Sequence, residues 1–237
     1  YSRHIVVGGY FPTFSSREIL RDFPEIDFVV RGEGEMTLGE LMETVLGEHE
    51  SSLEKVEGLS YRENGVILEN PARPLIKDLD ILGSVERKYS KEIIKGGTAL
   101  RVFATRGCWG GCSFCDIIAL YGQSPGKAWR SRSIPNVVDE IEDLQKKFHT
   151  DYFIFNDDQF LIRGKNADER VDQLASEIKR RQLTIRFELM CRADTINHRN
   201  MAKLKSVGLR RVFLGLESFD DKQLERFRKG IYVHRCV

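Results

Sequence analysis

From residue 100 onward, strand and helix signals alternate at short, even intervals, and this alternation limits the chain to one kind of architecture. LRVFATRG (100–107), DYFIFND (151–157), TIRFELM (184–190) and RRVFLGLE (210–217) are short apolar runs rich in β-branched and aromatic residues, the pattern of buried strands. Between them, SIPNVVDEIEDLQKKF (133–148) places Ile134, Val137, Val138, Ile141, Leu144 and Phe148 on one helical stripe. ADERVDQLASEIKRR (167–181) turns Val171, Leu174 and Ile178 inward, and NHRNMAKLKSV (197–207) is a helix stopped by Gly208. DDKQLERF (220–227) begins another helix. Each helix must carry the chain back across the sheet, so four βα units in series mean parallel strands, in a sheet that is open or curled toward a barrel. A fifth strand is expected beyond Val237.

The first hundred residues are built differently. HIVVGG (4–9) and DFVVRGEGE (27–35) each run from a buried strand into a glycine-containing turn. Ser15 with Glu18 has the form of a capping box for the helix SREILRDF. Thr37 with Glu40 has the same form for a helix whose inner face is expected to carry Leu38, Leu41, Val45 and Leu46. Strand–helix–strand–helix is half of a doubly wound α/β domain, so further strands are expected before Tyr1. GLSYRENGVILEN (58–70) places two extended runs around Asn64-Gly65, the signature of a type I′ hairpin. The expected division is therefore 1–50, 51–99 as hairpin and connector, and 100–237. Charge follows it: residues 1–80 hold 8 Lys/Arg against 16 Asp/Glu, whereas residues 81–237 hold 29 against 20. The basic excess suits anionic small ligands. No Lys/Arg stripe with interleaved aromatics suggests nucleic acid. No apolar run approaches the roughly 20 residues that span a bilayer, and a cytoplasmic protein is expected.

The strongest chemical signal is TRGCWGGCSFCD (105–116), with Cys108, Cys112 and Cys115 at C-x3-C-x2-C spacing directly after a strand. Three thiolates on one loop can hold three corners of an iron–sulfur cubane and leave the fourth iron without a protein ligand. Gly107, Gly110 and Gly111 let the loop close round a large inorganic body, and Phe114 would supply an apolar wall. Zinc is the alternative, but structural zinc sites use four ligands, commonly as paired C-x2-C units, and no second pair occurs. Cys191 reads as a buried apolar thiol. Cys236, near the chain end, supports no functional reading.

This cysteine motif, with an aromatic before its last Cys and at the end of the first strand of a βα series, resembles the radical S-adenosylmethionine (SAM) superfamily. The whole chain looks like the cobalamin-dependent branch of that superfamily, in which a Rossmann-like cobalamin-binding domain precedes a partial (βα) barrel. The resemblance implies a 4Fe–4S cluster on the three cysteines and SAM bound through its amino and carboxylate groups to the unique iron. One electron then cleaves the sulfonium and yields a 5′-deoxyadenosyl radical. An electron donor such as flavodoxin or ferredoxin is implied, as is a small-molecule or natural-product substrate, with methyl transfer the leading activity and cyclisation or rearrangement the alternative. Candidate SAM contacts lie at the next strand ends. Asp157 and Asp158 are placed for the amino group, unless they cap a turn or pair with an Arg. Arg192 is placed for the carboxylate, unless it forms a surface salt bridge, and Glu217 ends the fourth strand. Lys229 is expected to be solvated at a helix end. Gly8 and Gly9 match the Gly-Gly element of the cobalamin fingerprint, and His4, inside a strand, is not expected to ligate cobalt. A non-catalytic zinc or iron–sulfur module is the reading from another class.

Overall fold

The computed structural model describes residues 4–47, 52–83, 85–88, 90–95 and 97–233. The chain divides into two compact units, Tyr1–Lys77 with Cys115–Ala128, and Asp78–Phe114 with Trp129–Val237.

The first unit opens with β1 (Val6–Gly8), α1 (Tyr10–Phe14), α2 (Ser16–Asp22), β2 (Phe28–Val30) and α3 (Gly34–Leu46). The hairpin strands β3 (Leu59–Glu63) and β4 (Val66–Glu69) follow. These strands form one sheet in the order β1-β2-β3-β4. The β1-β2 pair is parallel, as strand–helix–strand order demands, and the hairpin adds to the β2 edge antiparallel. Asn64 and Gly65 both take positive φ (49° and 79°), as a type I′ turn requires. Every residue of β2 is buried because both faces of the sheet are covered. On one face Phe28 and Val30 meet Leu41, Val56, Leu59 and Tyr61, and on the other Val29 meets Ile19 and Leu20.

Several expectations for this unit are corrected. Gly32, at φ 71°, turns the chain so that α3 starts at Gly34, three residues before Thr37. Thr37 is thus inside the helix, where its hydroxyl donates to the Glu57 carbonyl (2.9 Å) and accepts from Arg73 Nε (2.9 Å), while Arg73 also pairs with Glu40. The S/T-x-x-E pattern here serves a tertiary contact, not a capping box. Ser15 precedes α2 but makes no side-chain capping bond, because it also closes α1, a helix the sequence did not suggest. Leu38 and Leu46 are exposed, and only Leu41 of the expected face is buried deeply.

The second unit begins with α4 (Ser90–Lys95) and β5 (Leu100–Val102), and then β6 (Thr105–Arg106). The chain passes through α5 (Asp116–Gly122) of the first unit and returns as β7 (Arg130–Ser131). α6 (Ile134–Phe148), β8 (Tyr152–Phe155), α7 (Lys165–Arg180), β9 (Arg186–Arg192), α8 (His198–Lys205), β10 (Leu209–Gly215) and α9 (Asp221–Arg226) complete it. β5, β8, β9 and β10 are parallel neighbours in the order of the sequence, as four βα units require. The expected strand 100–107 is broken. β5 ends at Val102, and β6 leaves the parallel sheet to pair antiparallel with β7. The core lies between the sheet and the outer helices. Phe153, Phe155, Phe187 and Leu189 pack there against Val137, Val138, Ile141, Val171 and Leu174. Each such large side chain contributes on the order of 2 kcal/mol by leaving water. Ser133 caps α6 by accepting the N–H of Asn136.

Candidate functional site

The cysteine loop leaves β6 and is anchored from the end of β8. Asp157 is 1% exposed, and its Oδ1 accepts the backbone N–H groups of Ala104 (2.8 Å) and Thr105 (2.6 Å). Asp158 Oδ2 accepts the N–H of Gly107 (2.8 Å), the residue before Cys108. Gln159, also buried, accepts the Arg192 N–H at its Oε1 (2.9 Å), and its carbonyl accepts from Thr105 Oγ1 (3.0 Å) and Trp129 Nε1 (2.9 Å). The short peptide Asp157–Gln159 therefore satisfies the backbone where the strand breaks. Burial pushes the Asp157 carboxyl up to about 7, although the Thr105 and Ala104 N–H groups and the Arg170 guanidinium favour its anion. Its Oδ2 is buried without a partner. Burial raises Asp158 as well, opposed by the Gly107 N–H and by Arg106 and Arg130. Both carboxylates hold the backbone that leads into the loop.

Cys108, Cys112 and Cys115 are partly exposed and none is in a disulfide. The Gly110 N–H donates to Cys108 Sγ (3.2 Å). Arg192, 5% exposed at the end of β9, brings Nη1 to 3.7 Å from Cys112 Sγ. A side chain at Gly110 would place its Cβ 3.2 Å from Arg192 Nη1 and 3.4 Å from Cys108 Sγ, so the guanidinium or the sulfur would have to give by a few tenths of an ångström. Ser113 N–H donates to the Phe227 carbonyl (2.9 Å), and the half-exposed ring of Phe114 meets Phe227 edge-on, centroids 5.2 Å apart. Among the described residues no three His, Cys, Asp or Glu side chains converge as a single-ion site would need. A cubane is larger than one ion and takes wider-set thiols. The donor set suits such a cluster: three cysteine thiols outside any disulfide on one loop, an N–H aimed at one sulfur and a cation against another.

The remaining candidates sit at neighbouring strand ends. Glu217 follows β10 with φ 66°, and its Oε1 accepts from Lys229 Nζ (2.9 Å). Lys229 is 6% exposed, which corrects the expectation of a solvated helix end: the chain after α9 folds back onto the site, and the Lys229 carbonyl accepts from Arg192 Nη2. Sequence reasoning also missed Gln159, Trp109 and Asp194. Trp109, between the first two cysteines, was the legible one. In the first unit, Gly8 lies so near β2 that a Cβ would be 3.1 Å from the Val30 carbonyl oxygen, and Gly9 adopts φ 100° with open space around it.

The chain is similar to known proteins. The radical SAM superfamily matches residues 102–235, more than half of the chain, and the chain belongs to that superfamily. It is 33% identical over 239 residues to an uncharacterised methyltransferase of Pyrococcus horikoshii, covering 98% of this chain and 49% of that protein. It is 30% identical over 231 residues to the anaerobic magnesium-protoporphyrin IX monomethyl ester cyclase of a Synechocystis strain, covering 95% and 44%. Among solved structures, the cobalamin-dependent SAM radical enzyme OxsB with aqua-cobalamin and SAM bound superposes with TM-score 0.79 at 25% identity, covering 98% of this chain and 33% of that one. The chain thus spans about half, or less, of the length of these relatives. Its α/β fold with a partial parallel barrel is the radical SAM fold.

Proposed function

We propose that this chain is the cluster-bearing part of a cobalamin-dependent radical SAM enzyme that methylates a small-molecule substrate. The observation that carries the proposal is the loop of Cys108, Cys112 and Cys115 at the C-terminal end of the first strand of a parallel series, its backbone fixed by Asp157, Asp158 and Gln159. In this reading the three cysteines hold a 4Fe–4S cluster. That cluster with SAM, when bound, supplies one-electron reductive cleavage of the sulfonium.

The protein's own residues hold, orient and exclude water. Asp157 and Asp158 position the loop, and any contact to the SAM amino group falls to Asp158, which is only partly buried, or to neighbouring carbonyls. Arg192, Glu217 and Lys229 line the strand ends with one fixed cation and one ion pair for the SAM carboxylate side. Phe114 provides the apolar wall. Gly8 and Gly9, the first flush against β2 and the second with open space over it, would let a cobalamin tail lie against bare backbone. We assign residues 1–50 to the end of that cofactor domain, 51–99 to the hairpin and connector, and 100–237 to the barrel. The electron comes from a flavodoxin- or ferredoxin-like donor, and a reducing cytoplasm suits both the cysteine thiols and the donor. No helix among the described residues is long and apolar enough to cross a membrane. Ring formation is the second reading, favoured by the cyclase among the relatives.

Anaerobic reconstitution of the chain with iron and sulfide tests the proposal. About four irons per chain and a cluster spectrum perturbed by SAM are expected; tetrahedral zinc with no response to SAM would refute it. Cys112→Ala should abolish cluster assembly, while Cys191→Ala should leave iron content unchanged. Burial pushes the Cys191 thiol up to about 11, so it stays protonated and is a poor ligand. With methyl-labelled SAM and the full-length enzyme, label in the product supports methyl transfer, and an unlabelled cyclised product supports the second reading.

A further inference from the structure

Trp109 lies inside the cysteine motif, in the spacer between Cys108 and Cys112. Two guanidinium carbons approach its ring, Arg163 Cζ at 4.3 Å and Arg192 Cζ at 4.6 Å from the centroid. Such contacts are attractive because the ring face carries negative charge, and partial burial strengthens them. Both guanidiniums also share one carboxylate. Asp194 accepts from Arg192 Nε at 3.0 Å and Nη2 at 3.2 Å, and it pairs with Arg163 through Oδ2. Arg192 and Asp194 are nearly fully buried, whereas Arg163 is about half exposed. The set of two guanidiniums and one carboxylate carries a net charge of +1, and its inner member stands 3.7 Å from Cys112 Sγ.

We infer that Trp109, Arg163, Arg192 and Asp194 form a cationic brace that fixes the cysteine loop and favours the one-electron-reduced state of the cluster it holds. The inference rests on the cluster reading above. Its chemistry is a single electron taken by the cluster from a one-electron donor, with no bond formed or broken. Reduction adds a negative charge to the cluster, so a fixed positive charge nearby stabilises the reduced form more than the oxidised one. Little water intervenes to screen it, because the inner pair is buried. The aromatic ring ties the same charges mechanically to the loop. Trp109, Arg163 and Asp194 act through Arg192 and the cysteines and are positioning residues, not catalytic ones.

The brace predicts opposite signs for two neutralising substitutions. Arg192→Gln lowers the net charge of the set to zero, and the equilibrium constant for cluster reduction should fall about tenfold, about 59 mV for one electron. Asp194→Asn raises the net charge to +2, and the same constant should rise. Arg163→Gln, on the exposed side, should lower it by a smaller factor, and it decides the matter if Arg192→Gln fails to load a cluster. The measurement is a spectroelectrochemical titration of each anaerobically reconstituted full chain, with iron and sulfide counted first. Trp109→Ala should speed loss of iron to a chelator, and Trp109→Phe should restore most of the wild-type rate. If Asp194→Asn and the arginine variants shift the potential in the same direction, or leave it unmoved, the brace has no electrostatic role and the inference is overturned. If the wild-type chain takes up no cluster, the cluster reading itself fails, a result distinct from a cluster that loads normally but ignores the brace.

Discussion

Two strand-end turns in this molecule are built in opposite ways. At the end of β8, Asp157, Asp158 and Gln159 fill the base of the cysteine loop with polar side chains, each bonded to backbone. At the end of β1, Gly8 and Gly9 keep the turn bare: the first because β2 leaves no space, the second because its φ of 100° excludes most side chains. In the proposed reading the difference follows from what grips the ligand. A cluster is held by side-chain sulfur, so the loop that carries the sulfur must be held rigidly by others. A ligand lying on backbone needs side chains removed.

The sharpest way to break this comparison is to remove the carboxylate at the base of the loop. Asp157→Ala leaves two buried N–H groups without an acceptor and should cost about 3 kcal/mol of stability by chemical denaturation. Asp157→Asn keeps an acceptor for both N–H groups and should cost far less. If the alanine variant is no less stable than an ordinary surface substitution, the carboxylate does not anchor the loop.

The same residue predicts a pH dependence. The Asp157 carboxyl keeps its proton to about pH 7 in the folded chain, against about 4 in the unfolded one. Between those values the folded state binds more protons, so this contribution is fully present below about pH 4 and is lost as pH rises through 7. Its size is on the order of 4 kcal/mol across the window. The wild-type minus Asp157→Asn difference in stability isolates it, because the paired surface carboxylates, held low by their cations, act in the opposite sense at lower pH. A difference that is flat from pH 4 to 7 would show that burial does not shift this group.

The bare turn should be less costly to perturb. Gly9→Ala meets no neighbour but must hold φ 100° with ψ −165°, a region left essentially to glycine, and should cost about 1–3 kcal/mol. Gly8→Ala must push its Cβ against the Val30 carbonyl oxygen and should also destabilise the fold. Denaturation midpoints of the two variants test this, and a Gly9→Ala loss no greater than that of an ordinary surface substitution would mean that its backbone strain is not as described.

Much of this was legible in the sequence, for identifiable reasons. The four parallel strands and their helices follow from period-3.6 stripes and short apolar runs, which depend on local residue pattern. The hairpin followed from Asn64-Gly65, and the loop proposed to carry the cluster from cysteine spacing. What escaped depends on contacts between distant residues. Thr37 looked like a cap because the motif is local, but its hydroxyl is engaged by Glu57 and Arg73. Lys229 looked solvated because its burial comes from the chain folding back after α9. The break of the first strand at Val102 had no signal, since β7, which captures Thr105 and Arg106, is only two residues long.

The smallest effect is expected where charges are most numerous. Between α6 and α7, Arg181 pairs with Asp139, Glu142 and Glu177, and Arg180 adds a second cation to Glu177. Hydrogen bonds from Arg180 and Arg181 hold the Glu177 carboxyl at about 2, a larger displacement from its free value than most carboxylates here show. Yet this network lies at the surface, where solvent and salt screen it and ordering long side chains offsets the attraction. Glu177→Gln should therefore change the denaturation midpoint far less than Asp157→Ala, and the small change should shrink further in concentrated salt. Asp157 makes fewer ionic contacts but bonds to backbone in a site closed to water. A Glu177→Gln loss equal to that of Asp157→Ala would mean that the number of ionic partners, rather than burial, decides which carboxylates hold this fold together.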